Sequence, residues 1–316
     1  MRRWTPIYSA ISTSACPTLK RFEMTTSLSP NQRGALLMLG SMAFFTFNDT
    51  LVKLVGETVP LWQIVTVRGV LASLLLLGLA RAMGALRFDF SRRDWGLVLA
   101  RCATEMGATY FFLSALLQLP LANVTAVLQM LPLTVTLCAA LFLGEAVGWK
   151  RSLAIAVGFV GMLLIVRPGG ADFGPATAYA VLAVGVLTLR DLVTRQMSAA
   201  VPSLTVTFLS AFAVMLFGLG LGIGESWQPM GLREWGLLAG TSVLILLAYL
   251  FAVMTIRVGE VSAVAPLRYT GLVWALLLGW AVFGEFPSGL TLLGAVIVVL
   301  AGLFTLLRER QVAENT

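Results

Sequence analysis

From Gly34 onward the chain is a succession of apolar runs parted by short clusters of Arg, Lys, Asp, Glu, Gly and Pro. About 20 apolar residues in a helix cross the hydrocarbon core of a bilayer, and the runs have that length. They predict ten helices at about 34–55, 61–83, 95–118, 121–143, 150–167, 173–195, 202–224, 233–256, 261–283 and 288–307. Connections as short as Leu119-Pro120 and Gly259-Glu260 require neighbouring helices to run antiparallel. The expected fold is an all-α integral membrane protein.

Composition agrees. Of 316 residues, 58% are hydrophobic and 12% charged, and the mean hydropathy is +0.90. A soluble fold of this length could not bury so much apolar surface. Residues 1–33 are polar and mildly basic, without the apolar stretch of a signal peptide, and are expected to form a cytoplasmic tail. Met24 is an alternative start to Met1. Residues 308–316 are expected to be a second cytoplasmic tail.

Placement of Lys and Arg sets the orientation. With the N-terminus inside, fifteen fall on the cytoplasmic side: Arg2, Arg3, Lys20, Arg21, Arg33, Arg81, Arg87, Arg92, Arg93, Lys150, Arg151, Arg195, Arg257, Arg308 and Arg310. Lys53, Arg167 and Arg233 fall outside. Since cytoplasmic connections carry the positive excess, both termini are predicted to be cytoplasmic. The net charge of +7 thus reads as topology, with the lipid bilayer as partner and no nucleic acid.

Histidine is absent, which removes Ser-His-Asp triads, HExxH zinc sites, His-ligated haem and histidine proton relays. Cys16, Cys102 and Cys138 are too scattered for a disulfide framework or a metal cluster. Gly218, Gly220, Gly222 and Gly224 lack the Gly-Lys-Ser/Thr of a phosphate loop; both pairs spaced by four are expected to pack helices closely. No cofactor, metal or ATPase is implied.

The two halves repeat. Asp49, Lys53 and Pro60 recur 142 residues later as Asp191, Arg195 and Pro202. Arg93-Asp94-Trp95-Gly96-Leu97 recurs 140 later as Arg233-Glu234-Trp235-Gly236-Leu237, and Leu143-Gly144-Glu145 as Phe283-Gly284-Glu285. The expected units are residues 34–167 and 173–307, each of five helices. Because five is odd, the second unit enters the membrane inverted, and inverted repeats are the architecture of alternating access around a midplane site.

Ten spans in two halves, Pro120-Leu121-Ala122-Asn123-Val124, Gly144-Glu145 and Val264-Ala265-Pro266-Leu267-Arg268-Tyr269 resemble the EamA family of the drug/metabolite transporter superfamily over residues 34–307. That resemblance implies a cell inner-membrane carrier of small metabolites, amino acids and their derivatives first. Riboflavin or another aromatic vitamin or nucleoside derivative is the alternative cargo, given Tyr110, Tyr249, Tyr269 and Trp274. A membrane-embedded transferase is the alternative of another class, and would call for a clustered acidic metal site. A homodimer is compatible with the sequence, but a monomer suffices. Glu260 stands where the first half has Pro120, so the two gates are not expected to be identical.

Charges at membrane depth are costly and must face a cavity or a partner. Asp49 and Arg68 fall at one depth and form an expected ion pair, structural or gating, with Lys53 a competitor for Asp49. Arg101 and Glu105, four apart, either pair or face a cavity. Glu105, about 15 Å along its helix, is the candidate for proton coupling. Asp191 with Arg195 copies Asp49 with Lys53, and Arg190 points about 100° away from Asp191. Local pairing leaves Arg268 over, beside Tyr269 and Trp274, as the expected substrate anchor. Tyr110, Gln129 and Asn48 complete the expected binding set. Glu145 and Glu285 are expected to serve the fold near the surface.

Overall fold

The computed structural model describes residues 29–84, 86–144, 148–169, 173–198, 201–258 and 264–314. Among these every regular element is a helix. They are α1 (Pro30–Val55), α2 (Leu61–Ala82), α3 (Arg92–Leu116), α4 (Leu121–Leu128), α5 (Leu131–Leu143), α6 (Trp149–Val166), α7 (Pro175–Arg195), α8 (Ser203–Leu221), α9 (Leu232–Val258), a 3-10 turn (Ala265–Tyr269), α10 (Thr270–Phe283) and α11 (Gly289–Glu314). Nine helical stretches among the described residues are long and apolar enough to cross a membrane, α4 and α5 counting as one over Leu121–Phe142. The tenth, α3, has 25 residues but carries Arg101 and Glu105 in its middle. The protein is a multi-pass membrane protein.

The packing is unchanged when the halves are exchanged. α1 packs most extensively on α9, and its counterpart α7 on α3; α2 packs on α8, and α6 on α11. Each of the last two pairs joins an element to its own repeat. α6 and α11 meet backbone to backbone, since a Cβ on Gly161 would lie 2.8 Å from the Gly294 carbonyl. On α8, Gly218 and Gly222 are filled by Thr66 and Trp62 of α2, whereas Gly220 and Gly224 face open space. Only the first of the two glycine pairs therefore packs helices, because only that face meets α2.

Four departures from the sequence expectations have local causes. α1 begins at Pro30 rather than near 34: Ser29 accepts from Gln32 N–H at 3.3 Å while Gln32 accepts from Ser29 N–H at 2.9 Å. The fourth span is broken at Gln129 and Met130. Pro132 has no N–H to give the Leu128 carbonyl and its ring crowds that oxygen, so α4 stops there. In the ninth span Pro266 has the same effect, and Ala265–Tyr269 winds as a 3-10 turn. At the 140-residue spacing Gln129 and Met130 correspond to Tyr269 and Thr270, so both breaks fall at one place in the repeat. Finally, α11 continues to Glu314, through residues expected as a tail, because that stretch holds neither Gly nor Pro. Residues 1–28, Glu145, Gly259 and Glu260, on which several expectations fell, lie outside the described residues.

Candidate functional site

Glu105 on α3 meets a cation of the second half. Its Oε2 lies 2.5 Å from Arg101 Nη1, one turn back on the same helix, and 3.7 Å from Arg190 Nη1 on α7. Arg190 in turn reaches Asp191 Oδ1, at 2.8 Å from Nη2 and 2.9 Å from Nε. A neighbouring carboxylate is reached because Arg190 turns back along its own helix, although adjacent side chains leave the axis about 100° apart. The side chains keep 15% (Arg101), 19% (Glu105), 18% (Arg190) and 33% (Asp191) of their surface open. Partial accessibility lowers the desolvation that a dry core would impose on these charges.

A second polar arm comes from α1 and α2. Asn48, 1% exposed, accepts from Arg68 Nη2 at 3.2 Å and donates to Asp49 Oδ1 at 2.9 Å. Asp49 and Arg68 therefore meet through a carboxamide rather than as a direct ion pair. Tyr249 on α9 stands with its ring edge-on to Phe45 of α1 at 5.3 Å. Among the described residues no group of three or more His, Cys, Asp or Glu could hold a metal ion.

The other expected residues go elsewhere. Lys53 does not compete for Asp49. It donates to Leu119 O at 2.7 Å and to the two Glu285 oxygens at 2.9 and 3.0 Å, since the C-terminal end of α1 reaches the α3–α4 turn. Arg195 is exposed at the end of α7. Arg268 is turned to the surface by the 3-10 turn and shares no hydrogen bond or ion pair with the central groups among the described residues. Tyr269, next to it, is 5% exposed and fills the space Gly302 leaves. Trp274 packs 6.1 Å from Phe47. Gln129, at the break before α5, lies beside Gly271. Tyr110 belongs to an aromatic group with Phe111, Tyr179 and Phe217, at 5.5 to 6.3 Å.

Arg190 stands outside the expected binding set. Charge at membrane depth flagged Arg190, but only the approach of α3 to α7 shows that it faces Glu105.

The EamA-like transporter family matches the chain twice, over residues 32–167 and 175–307. The chain belongs to this family. It is 32% identical over 274 residues to the pseudopaline exporter CntI of Pseudomonas aeruginosa, covering 84% of this chain and 93% of that one. Identity is 26% over 293 residues with the S-adenosylmethionine uptake transporter of Rickettsia prowazekii, covering 91% and 97%. With the riboflavin transporter of Vibrio cholerae it is 28% over 275 residues, covering 86% and 92%. A crystal structure at 21% identity superimposes with a TM-score of 0.61 over 88% of this chain and 98% of that one, and so shares the EamA-like fold. The relatives named here are transporters, not enzymes, and belong with the drug/metabolite transporters that the sequence motifs resemble.

Proposed function

We propose that the protein is a secondary transporter of the inner membrane that carries a small anionic or zwitterionic metabolite, an amino acid or a derivative of one, by alternating access. Both termini are cytoplasmic in this reading, which rests on the Lys and Arg bias. The observation that carries it is the contact of Glu105 with Arg190 across the two halves. Around that contact stand three guanidiniums, Arg68, Arg101 and Arg190, and three carboxylates, Asp49, Glu105 and Asp191.

A substrate carboxylate would take a guanidinium from Glu105 with two parallel hydrogen bonds, and the released Glu105 would take the substrate's ammonium group or a proton. S-adenosylmethionine, the cargo named for one relative, carries both groups. Exchange of packing between pseudo-equivalent halves would then move the cavity mouth from one face to the other. The sequence has no phosphate loop, so a gradient would supply the energy.

The aromatic group around Tyr110 favours a second cargo, a flavin, as named for the Vibrio relative. A thermal-shift screen of purified protein separates the two. Amino acids, S-adenosylmethionine and riboflavin are added in turn, and a ligand that binds only the folded state raises Tm. Stabilisation by an amino-acid derivative, lost in Arg190→Ala, supports the first reading. Stabilisation by riboflavin alone overturns it.

A further inference from the structure

We infer that Lys53 and Glu285 form the outer gate of the transport path. The inference rests on the alternating-access reading, and on the charge bias that places the C-terminal end of α1 outside.

Four contacts converge on this pair. Lys53 donates to both Glu285 oxygens, at 2.9 and 3.0 Å, and to the Leu119 carbonyl at 2.7 Å. Glu285 Oε2 also accepts from Leu121 N–H at 3.2 Å, in the first turn of α4. That N–H has no partner within its own helix, and a carboxylate at a helix N-terminus is favoured. The Lys53 ammonium sits 4.9 Å from the centre of the Phe283 ring. Three segments are thereby tied at one end of the bundle: the end of α1, the turn into α4 and the end of α10.

The local backbone aims Glu285 at this junction. Gly284 has a left-handed φ of 66° and closes α10 with Gly284 N–H to Trp280 O and Glu285 N–H to Gly279 O, both at 3.0 Å. That C-cap reverses the chain and turns the next side chain back over the helix end. The Gly-Glu pair of the repeat is thus a cap followed by a carboxylate.

Position makes the clamp a gate. Lys53 is four residues beyond Asp49 on α1, one helical turn outward of the central polar groups on the same face. It belongs to the first half and Glu285 to the second, so halves that part at this end must break the contact. The side chains are 10% and 30% exposed. In a pair of that kind desolvation offsets much of the Coulomb attraction, so it fixes one arrangement without holding it deeply.

The test reads access rather than transport. Asp49→Cys serves as the only thiol, with Cys16, Cys102 and Cys138 replaced by Ala, and is exposed to a membrane-impermeant methanethiosulfonate. The reagent is applied to intact cells and, separately, to inside-out vesicles. Lys53→Met or Glu285→Gln should each raise the labelling rate from the outside by about tenfold, by shifting the population toward the open arrangement. The exchange Lys53→Glu with Glu285→Lys should return it toward the parent rate. Tm in detergent identifies any single variant that has merely unfolded, and the other variant then carries the test. Unchanged outside labelling in a folded single variant would overturn the gate, as would an increase confined to inside-out vesicles. Labelling needs no substrate, so a failed gate is distinguishable from a failed transporter assignment.

Discussion

Glu105 in the first half and Arg190 in the second face each other 3.7 Å apart, while each also holds a charged neighbour on its own helix. The Arg101 to Glu105 contact is not required by the repeat. Thr241 and Ile245 stand where the second half would repeat Arg101 and Glu105. The symmetric packing of the bundle thus surrounds an asymmetric set of charges, the set at which the proposed function has cargo recognised.

Replacing Arg101 with Lys keeps the charge but removes the planar fork that grips a carboxylate. For an amino-acid substrate the affinity should fall by about 1.5–3 kcal/mol, roughly ten- to a hundredfold. Isothermal titration of the purified variant with the ligand found in the thermal-shift screen measures it.

Glu105→Gln retains a hydrogen-bonding side chain but cannot carry a proton or oppose two guanidiniums. Concentrative uptake into proteoliposomes should be lost while exchange of internal for external substrate persists. Accumulation at the wild-type level would remove Glu105 from coupling.

The break before α5 should matter to function more than to folding. Pro132→Ala restores an N–H to the Leu128 carbonyl, so α4 and α5 should join, with a gain in Tm and a slower transport rate. An unchanged rate alongside the higher Tm would show that the break has no part in the cycle.

Asn48 links Asp49 to Arg68 at 1% exposure. Asn48→Leu leaves both charges without that link and should cost about 1–3 kcal/mol, seen as a fall of several degrees in Tm.

Orientation is tested independently of cargo. Reporter fusions after Arg92 and Lys150 should report the cytoplasm and one after Ser288 the exterior. A cytoplasmic signal at Ser288 would break the ten-span topology.

What the sequence discloses depends on the range of the interaction. Apolar runs mark the spans because the bilayer imposes a length on each. The Arg101 to Glu105 contact is legible because residues four apart share a helix face. Lys53 illustrates the limit: its sequence neighbour Asp49 is near, but its partner Glu285 is 232 residues away. The repeat held a signal for it, since it marks one cation and one carboxylate in each half, at Lys53 and Arg195 and at Glu145 and Glu285. Arg268 shows the opposite limit. Elimination by local pairing singles it out, but the structure places it exposed on the 3-10 turn at Pro266, and elimination does not know which way a helix is wound. Pro132 was visible all along, but within an unbroken apolar run it gave no sign that the span ends and restarts around it.

The central claim, that cargo is held between the halves at Arg190 and Glu105, is tested most directly by counterflow. Proteoliposomes loaded with an unlabelled mixture of amino acids and S-adenosylmethionine are diluted into each labelled compound in turn. At least one compound should accumulate transiently through the wild-type protein. That signal should vanish in Arg190→Ala and persist within about twofold in Arg268→Ala, because only the first removes a guanidinium from the charged group around Glu105. Wild-type counterflow through a folded Arg190→Ala, with loss in Arg268→Ala, would contradict the placement and move the site to the 3-10 turn.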